Sequence, residues 1–107
     1  MLRMIDLQKL CEITLENAEK RHKNGANITT DTRKMLKHCA TEVVEAAEAY
    51  NSMVDRVANK DIFAGEIADI ICCCLIIAGK EDIDIERAIY DCVEKNERRA
   101  NGIGDKL

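Results

Sequence analysis

Residues 66–79 read EIADIICCCLIIAG, and between Ile67 and Ala78 the only charge is Asp69. An apolar run of this length covers every side of a helix and must be covered on every side. The whole chain has 107 residues, which makes 1–107 one domain. A chain of that size buries only roughly 60% of its unfolded surface, so its core is thin. Part of this helix is therefore expected to pack against a second copy, as a homodimer or homotetramer. With Asp69 inside it, the twelve-residue run is too short to span a bilayer, so no membrane partner is expected. Nothing before Leu7 reads as a secretory leader, and a cytoplasmic location is expected.

Working outward, apolar residues recur at helical spacing and no strand pattern stands out. The first helix is expected from Met4 to Asn24, with Leu7, Leu10, Cys11, Thr14 and Ala18 on its apolar face and Asn24-Gly25 ending it. Thr29-Thr30-Asp31 supplies N-cap candidates for the second. That helix carries Leu36, Ala40, Val43, Ala47, Tyr50, Val54 and Val57 in steps of four and three. Asn59 to Asp61 makes a short connection, the third helix occupies 62–78, and Gly79 stops it. Asp82 or Asp84 caps the fourth, which runs through Ile85, Ala88, Ile89, Cys92 and Val93 to about Ala100. The fold class is all-α, a four-helix bundle-like arrangement that oligomerises through its apolar third helix.

Two acidic pairs stand in apolar helical sequence: Glu42 and Glu45, then Glu66 and Asp69, with twenty residues between the pairs. Residues three apart share a helix face, so each pair presents two carboxylates in one direction. Charges in apolar surroundings are costly unless neutralised, and carboxylates do not neutralise one another. A hard divalent cation with oxygen ligands is the natural partner, which points to Mg²⁺. Five other acidic pairs share this spacing; four lie among charges and read as solvated faces, and Glu48 turns away from the cluster. Met35, Cys39, Ala46, Ala49 and Met53 flank the stripe that carries Glu42. The second and third helices should be antiparallel neighbours. Counted from their connection the acids are not quite level, and a tilt or a break near Asn51-Ser52 would align them.

Six cysteines do not make a disulfide framework. Cys72, Cys73 and Cys74 are consecutive, point about 100° apart on a helix and do not converge on one metal; they are expected as small buried apolar groups. A net charge of −4 argues against nucleic acid as a partner. The basic patches Lys20, Arg21, Lys23 and Arg33, Lys34, Lys37 have no interleaved aromatics. Glu19 and His22 have the spacing of a di-iron ligand pair, but His38 has Met35 where a second pair needs glutamate. Both histidines are expected at the surface or its boundary.

Taken together, EVVEAAEAY, EIADI with its apolar continuation, IDIERAI and KNERR resemble the MazG-like all-α nucleoside triphosphate pyrophosphohydrolases over about residues 36–100. The resemblance implies cleavage of (d)NTPs between the α and β phosphates, yielding a monophosphate and pyrophosphate, as nucleotide-pool house-cleaning. It implies that Glu42, Glu45, Glu66 and Asp69 hold Mg²⁺, or Mn²⁺ in its place, and that Glu42 or Glu45 activates the attacking water. It makes Lys95, Asn96 and Arg99 the phosphate-binding cluster, against the plainer role of charges that suit a helix C-terminus. The tail ANGIGDKL keeps Gly104 and Lys106 but lacks the further basic residues of similar chains. The first helix has no aromatic to hold a base, so no base preference is specified. These departures leave a non-catalytic nucleotide-binding or protein-interaction helical module as the alternative, and a purely structural oligomer as the third reading.

Overall fold

The computed structural model describes residues 5–53, 57 and 59–102. Four helices follow in order: α1 (Leu7–Lys23), α2 (Thr32–Ser52), α3 (Lys60–Lys80) and α4 (Ile85–Ala100). The described residues contain no strand, in keeping with the all-α expectation. Three starts are fixed by aspartate caps: Asp6 accepts from the Lys9 amide, Asp31 from Lys34 and Asp84 from Arg87. Each cap satisfies one of the first-turn N–H groups that a helix leaves open. The cap at Asp6 also corrects the first helix, which starts at Leu7 while Ile5 lies outside it; Met4 lies outside the described residues. Asp82 is not the fourth helix's cap; it takes the left-handed conformation in the preceding turn, at φ 53°.

α3 is the central rod, packed along α1 on one side and α2 on another. Ala18, Met35, Cys73 and Ile76 form one buried cluster, with Leu15, Ile28, Cys39 and Ile77 against it. Cys11, Leu75 and Ala78 form a second, closed by Ile85. Both clusters lie in the C-terminal half of α3. Here Gly79 does not stop the helix as expected. A Cβ on it would stand 3.0 Å from the Cys11 carbonyl oxygen, so glycine lets α1 and α3 approach closely while α3 continues to Lys80.

α2 differs from expectation in two respects. It ends at Ser52, whose hydroxyl donates to the Glu48 carbonyl, and Met53 is extended. Serine bonded back to its own helix competes with the backbone ladder and weakens the end. Val54 lies outside the described residues, and Val57 is exposed in a turn beyond the helix. The buried seam is also not the one with the larger apolar residues. Leu36 and Val43 are 56% and 48% exposed, and Ala40, Ala47 and Tyr50 are exposed too. From Met35 onward the buried or half-buried ones are Met35, Cys39, Glu42, Ala46, Ala49 and Met53, one residue out of phase with the expected stripe.

α4 packs against α1 near their N-termini, where Glu86 Oε1 accepts from the Leu7 amide, and its first residue Ile85 closes the second cluster; past that point the described residues show no packing of α4 along α2 or α3. The radius of gyration, 16.6 Å, exceeds the roughly 13 Å of a compact chain this long. The bundle is therefore open. α3 as a whole, Lys60–Lys80, is long and apolar enough to cross a membrane, which corrects the length argument drawn from its twelve-residue run. Glu66 and Asp69 near its middle would each cost about 2.5–3.5 kcal/mol or more there, while α1 and α2 bury only 17% of its most apolar stretch.

Candidate metal centre

Two contacts fix how α2 and α3 lie against each other. The Tyr50 and Phe63 rings stand 5.1 Å apart, tilted by 53°, and the Cys39 and Cys74 sulfurs are 3.8 Å apart. From the first contact to the second is eleven residues back along α2 and eleven forward along α3. The helices are antiparallel, and both acidic pairs lie between these two contacts. Glu42 is three residues from the cysteine contact and Asp69 five; Glu66 is three from the aromatic contact and Glu45 five. At 1.5 Å per residue the acids of each opposed couple differ in height by about 3 Å. The break after Ser52 thus brings level what an unbroken α2 would have left staggered.

Facing follows from burial. Glu42 and Glu66 are half-buried on the α2–α3 seam, whereas Glu45 and Asp69 are exposed. A step of three residues turns a helix by about 60° short of a full circle. In an antiparallel pair that same turn carries Glu45 and Asp69 to one common flank. By the same register, the α2 residues opposite Glu66 are the small Ala46, buried, and Ala49, half-buried. No three of these four acids bring oxygens within 4.8 Å of one another among the described residues.

Glu42 has close partners of another kind. His38 Nε2 donates to its Oε1 at 2.6 Å, one turn away on α2. One donor atom from each of His38, Glu42 and Cys73 lies within 4.8 Å of the other two. Glu42 Oε2 is buried with no hydrogen-bond partner. An orphaned buried carboxylate oxygen is costly and calls for a proton donor or a cation. Burial pushes the Cys73 thiol up from 9.0 to about 12, with the neighbouring Cys39 and Glu42 adding to the rise. Glu42 Oε2 is thus one unpartnered oxygen donor on the seam, and the carboxylates of Glu45, Glu66 and Asp69 lie along the same stretch without converging on it as they stand.

The cysteines are not uniformly core. All six are free thiols; Cys11 and Cys73 are buried, Cys39 is half-buried, and Cys72, Cys74 and Cys92 are exposed. Sequence reasoning set aside both His38 and Cys73. Their signal was legible only in combination: His38 stands four residues before Glu42, and the antiparallel register brings Cys73 level with both.

Lys95, Asn96 and Arg99 are exposed on α4, away from the packed faces of α2 and α3. The Asn96 amide donates to the Cys92 sulfur one turn back, at 3.8 Å. Within one chain the fold therefore does not bring this cluster against the acids. An open depression of about 710 Å³ lies elsewhere, between the C-terminal part of α1, the N-terminus of α2 and Lys80, lined by basic and acidic side chains in near balance.

A family model described as the MazG nucleotide pyrophosphohydrolase domain matches residues 30–103. No curated protein and no solved structure matches the chain.

Proposed function

This chain belongs to the MazG nucleotide pyrophosphohydrolase domain family, and from that premise we propose that it hydrolyses nucleoside triphosphates to a monophosphate and pyrophosphate. The observation that carries the reading is the register of α2 and α3. It sets Glu42, Glu45, Glu66 and Asp69 along one stretch of the hairpin, with Glu42 Oε2 unpartnered. These four residues would hold Mg²⁺, or Mn²⁺ in its place, which when bound neutralises the triphosphate oxygens and polarises the phosphoryl group. Glu42 or Glu45 takes the proton of the attacking water. The water oxygen then bonds to phosphorus as the α–β bridge breaks, and the bridging oxygen leaves with pyrophosphate.

Lys95, Asn96 and Arg99 would hold the charge of the departing pyrophosphate. For that they must come from a second copy or from a rearranged α4. The exposed apolar residues support a second copy: Val43 on α2, Ile71 on α3 and Val93 on α4 are each about half exposed, at 48%, 52% and 49%. A homodimer or homotetramer in the cytoplasm, covering these faces with one another, is the assembly we propose. The second reading, a non-catalytic nucleotide-binding or protein-interaction module, is favoured by one observation, the separation of α4 from the acids in a single chain.

A panel of standard and damaged nucleotides, assayed for pyrophosphate with and without Mg²⁺, decides between them. At least one nucleotide should release pyrophosphate only with the cation, and Glu66→Gln and Asp69→Asn should each abolish release while the helical circular dichroism stays intact. Binding of nucleotide and Mg²⁺ without turnover selects the second reading.

A further inference from the structure

We propose that His38, Glu42 and Cys73 form a binding site for a borderline-soft divalent cation of the zinc type, separate in donor chemistry from the four carboxylates and sharing only Glu42 with them. The three donor atoms, one nitrogen, one oxygen and one sulfur, lie within 4.8 Å of one another. Tetrahedral zinc has bonds of about 2.0–2.3 Å to such donors, which puts ligand atoms about 3.3–3.7 Å apart. Small side-chain rotations close the difference. Glu42 Oε2 is already buried without a partner. His38 has 58% of its side chain exposed and Glu42 20%, so an ion enters from the His38 side, while Cys73 forms the buried floor at 4% exposure.

Donor type decides which ion fits. Mg²⁺ takes oxygens in octahedral geometry and has little use for an imidazole and a thiol. Zinc-type ions accept all three, and three protein ligands leave a fourth position for water. His38 gives up its hydrogen bond to Glu42 and binds through Nε2 as the neutral ring's proton moves to Nδ1. The Cys73 S–H bond breaks as the sulfur–metal bond forms, and its proton goes to solvent, so binding tightens as pH rises. The cation's own charge then stabilises a thiolate that burial alone would not allow. Resting on the hydrolase reading, one consequence is inhibition: an ion held here withdraws Glu42 from the oxygen set.

Full-length reduced protein is titrated with Co²⁺ in the presence of excess Mg²⁺, and the thiolate-to-cobalt charge-transfer absorption is read. The band should saturate at a single Co²⁺ per chain and be displaced by Zn²⁺. It should vanish in Cys73→Ala and persist in Cys72→Ala. His38→Ala, at an exposed position that leaves the fold unstrained, should weaken Co²⁺ binding by more than about tenfold. No band in the parent protein, or a band that survives Cys73→Ala, overturns the site. If Cys73→Ala fails to fold, His38→Ala decides, and unchanged affinity there overturns it as well. A protein that binds Co²⁺ this way but cleaves no nucleotide sinks only the hydrolase reading; one that cleaves with Mg²⁺ but gives no band sinks only this site.

Discussion

The two halves of α3 do opposite work. From Cys73 to Gly79 the helix is wedged between α1 and α2, with Cys73, Leu75, Ile76 and Ala78 all buried. From Asp61 to Ile71 the same helix has no buried residue, and its inward positions are Phe63, Glu66 and Ile70, all half-buried. Packing closes one half, and charge and small side chains hold the other open. Stability should therefore reside at the Gly79 end and chemistry at the Glu66 end, and substitutions in each half should damage one property and spare the other.

The largest effects test that division directly. Ile76→Ala removes three carbons from the first cluster and should cost about 2–5 kcal/mol. That is a large share of the roughly 5–15 kcal/mol that holds a domain together, read as a lowered urea midpoint. Glu66→Gln should change stability by under about 1 kcal/mol. In the pyrophosphate assay it should lower turnover by about a hundredfold or more, roughly 2.7 kcal/mol in the barrier. If Glu66→Gln unfolds the protein, or Ile76→Ala lowers turnover without lowering the midpoint, the division between the halves is wrong.

A smaller effect should come from alkaline pH. Burial, with Glu12 adding to it, raises the Cys11 thiol above its ordinary 9.0. The folded state therefore keeps the thiol proton at pH values where the unfolded chain has released it. Stability from this group is complete below 9.0 and is lost as pH climbs above that value. Cys73, pushed up to about 12, acts with the same sign. The urea midpoint should hold steady up to about pH 9.0 and fall beyond it, and Cys11→Ala should make the fall shallower. A slope unaltered in Cys11→Ala would place the alkaline sensitivity on another group, Cys73 first.

The sequence made the rods legible and left their rotation open. Capping aspartates and the apolar run located the helices within a few residues, and the acidic spacing put both pairs on neighbouring helices. On α2, however, two stripes one residue apart are both apolar. The Leu36–Val43–Tyr50 stripe holds the bulkier residues and looked like the core side. Close approach to α3 instead selects Cys39, Ala46 and Ala49, whose small side chains let the backbones near each other, and this choice turns Glu42 inward. Helix periodicity gives the stripes but not the neighbour, so neither the seam nor the His38–Glu42–Cys73 grouping follows from spacing alone. The position of Lys95 and Arg99 depends on how chains assemble, which a single chain's pattern does not encode.

Two glycines on α3, one in each half, sharpen the contrast at the smallest scale. Glycine inside a helix costs about 1 kcal/mol relative to alanine, because its backbone loses more freedom on folding. At Gly65 an added Cβ meets nothing within 4 Å, so Gly65→Ala should recover most of that, about 0.5–1 kcal/mol. At Gly79 the same methyl would sit 3.0 Å from the Cys11 carbonyl oxygen and 3.4 Å from the Leu15 Cβ. The oxygen belongs to the backbone of a packed helix and cannot swing aside, so α1 must shift and loosen Cys11 and Ala78. Gly79→Ala should thus lose more in packing than it gains in propensity, for a net cost of about 1 kcal/mol. Opposite signs for one substitution on one helix, read as urea midpoints on either side of the parent, would locate the boundary between the halves. Gains at both positions would mean that the α1–α3 contact is looser than a single methyl group.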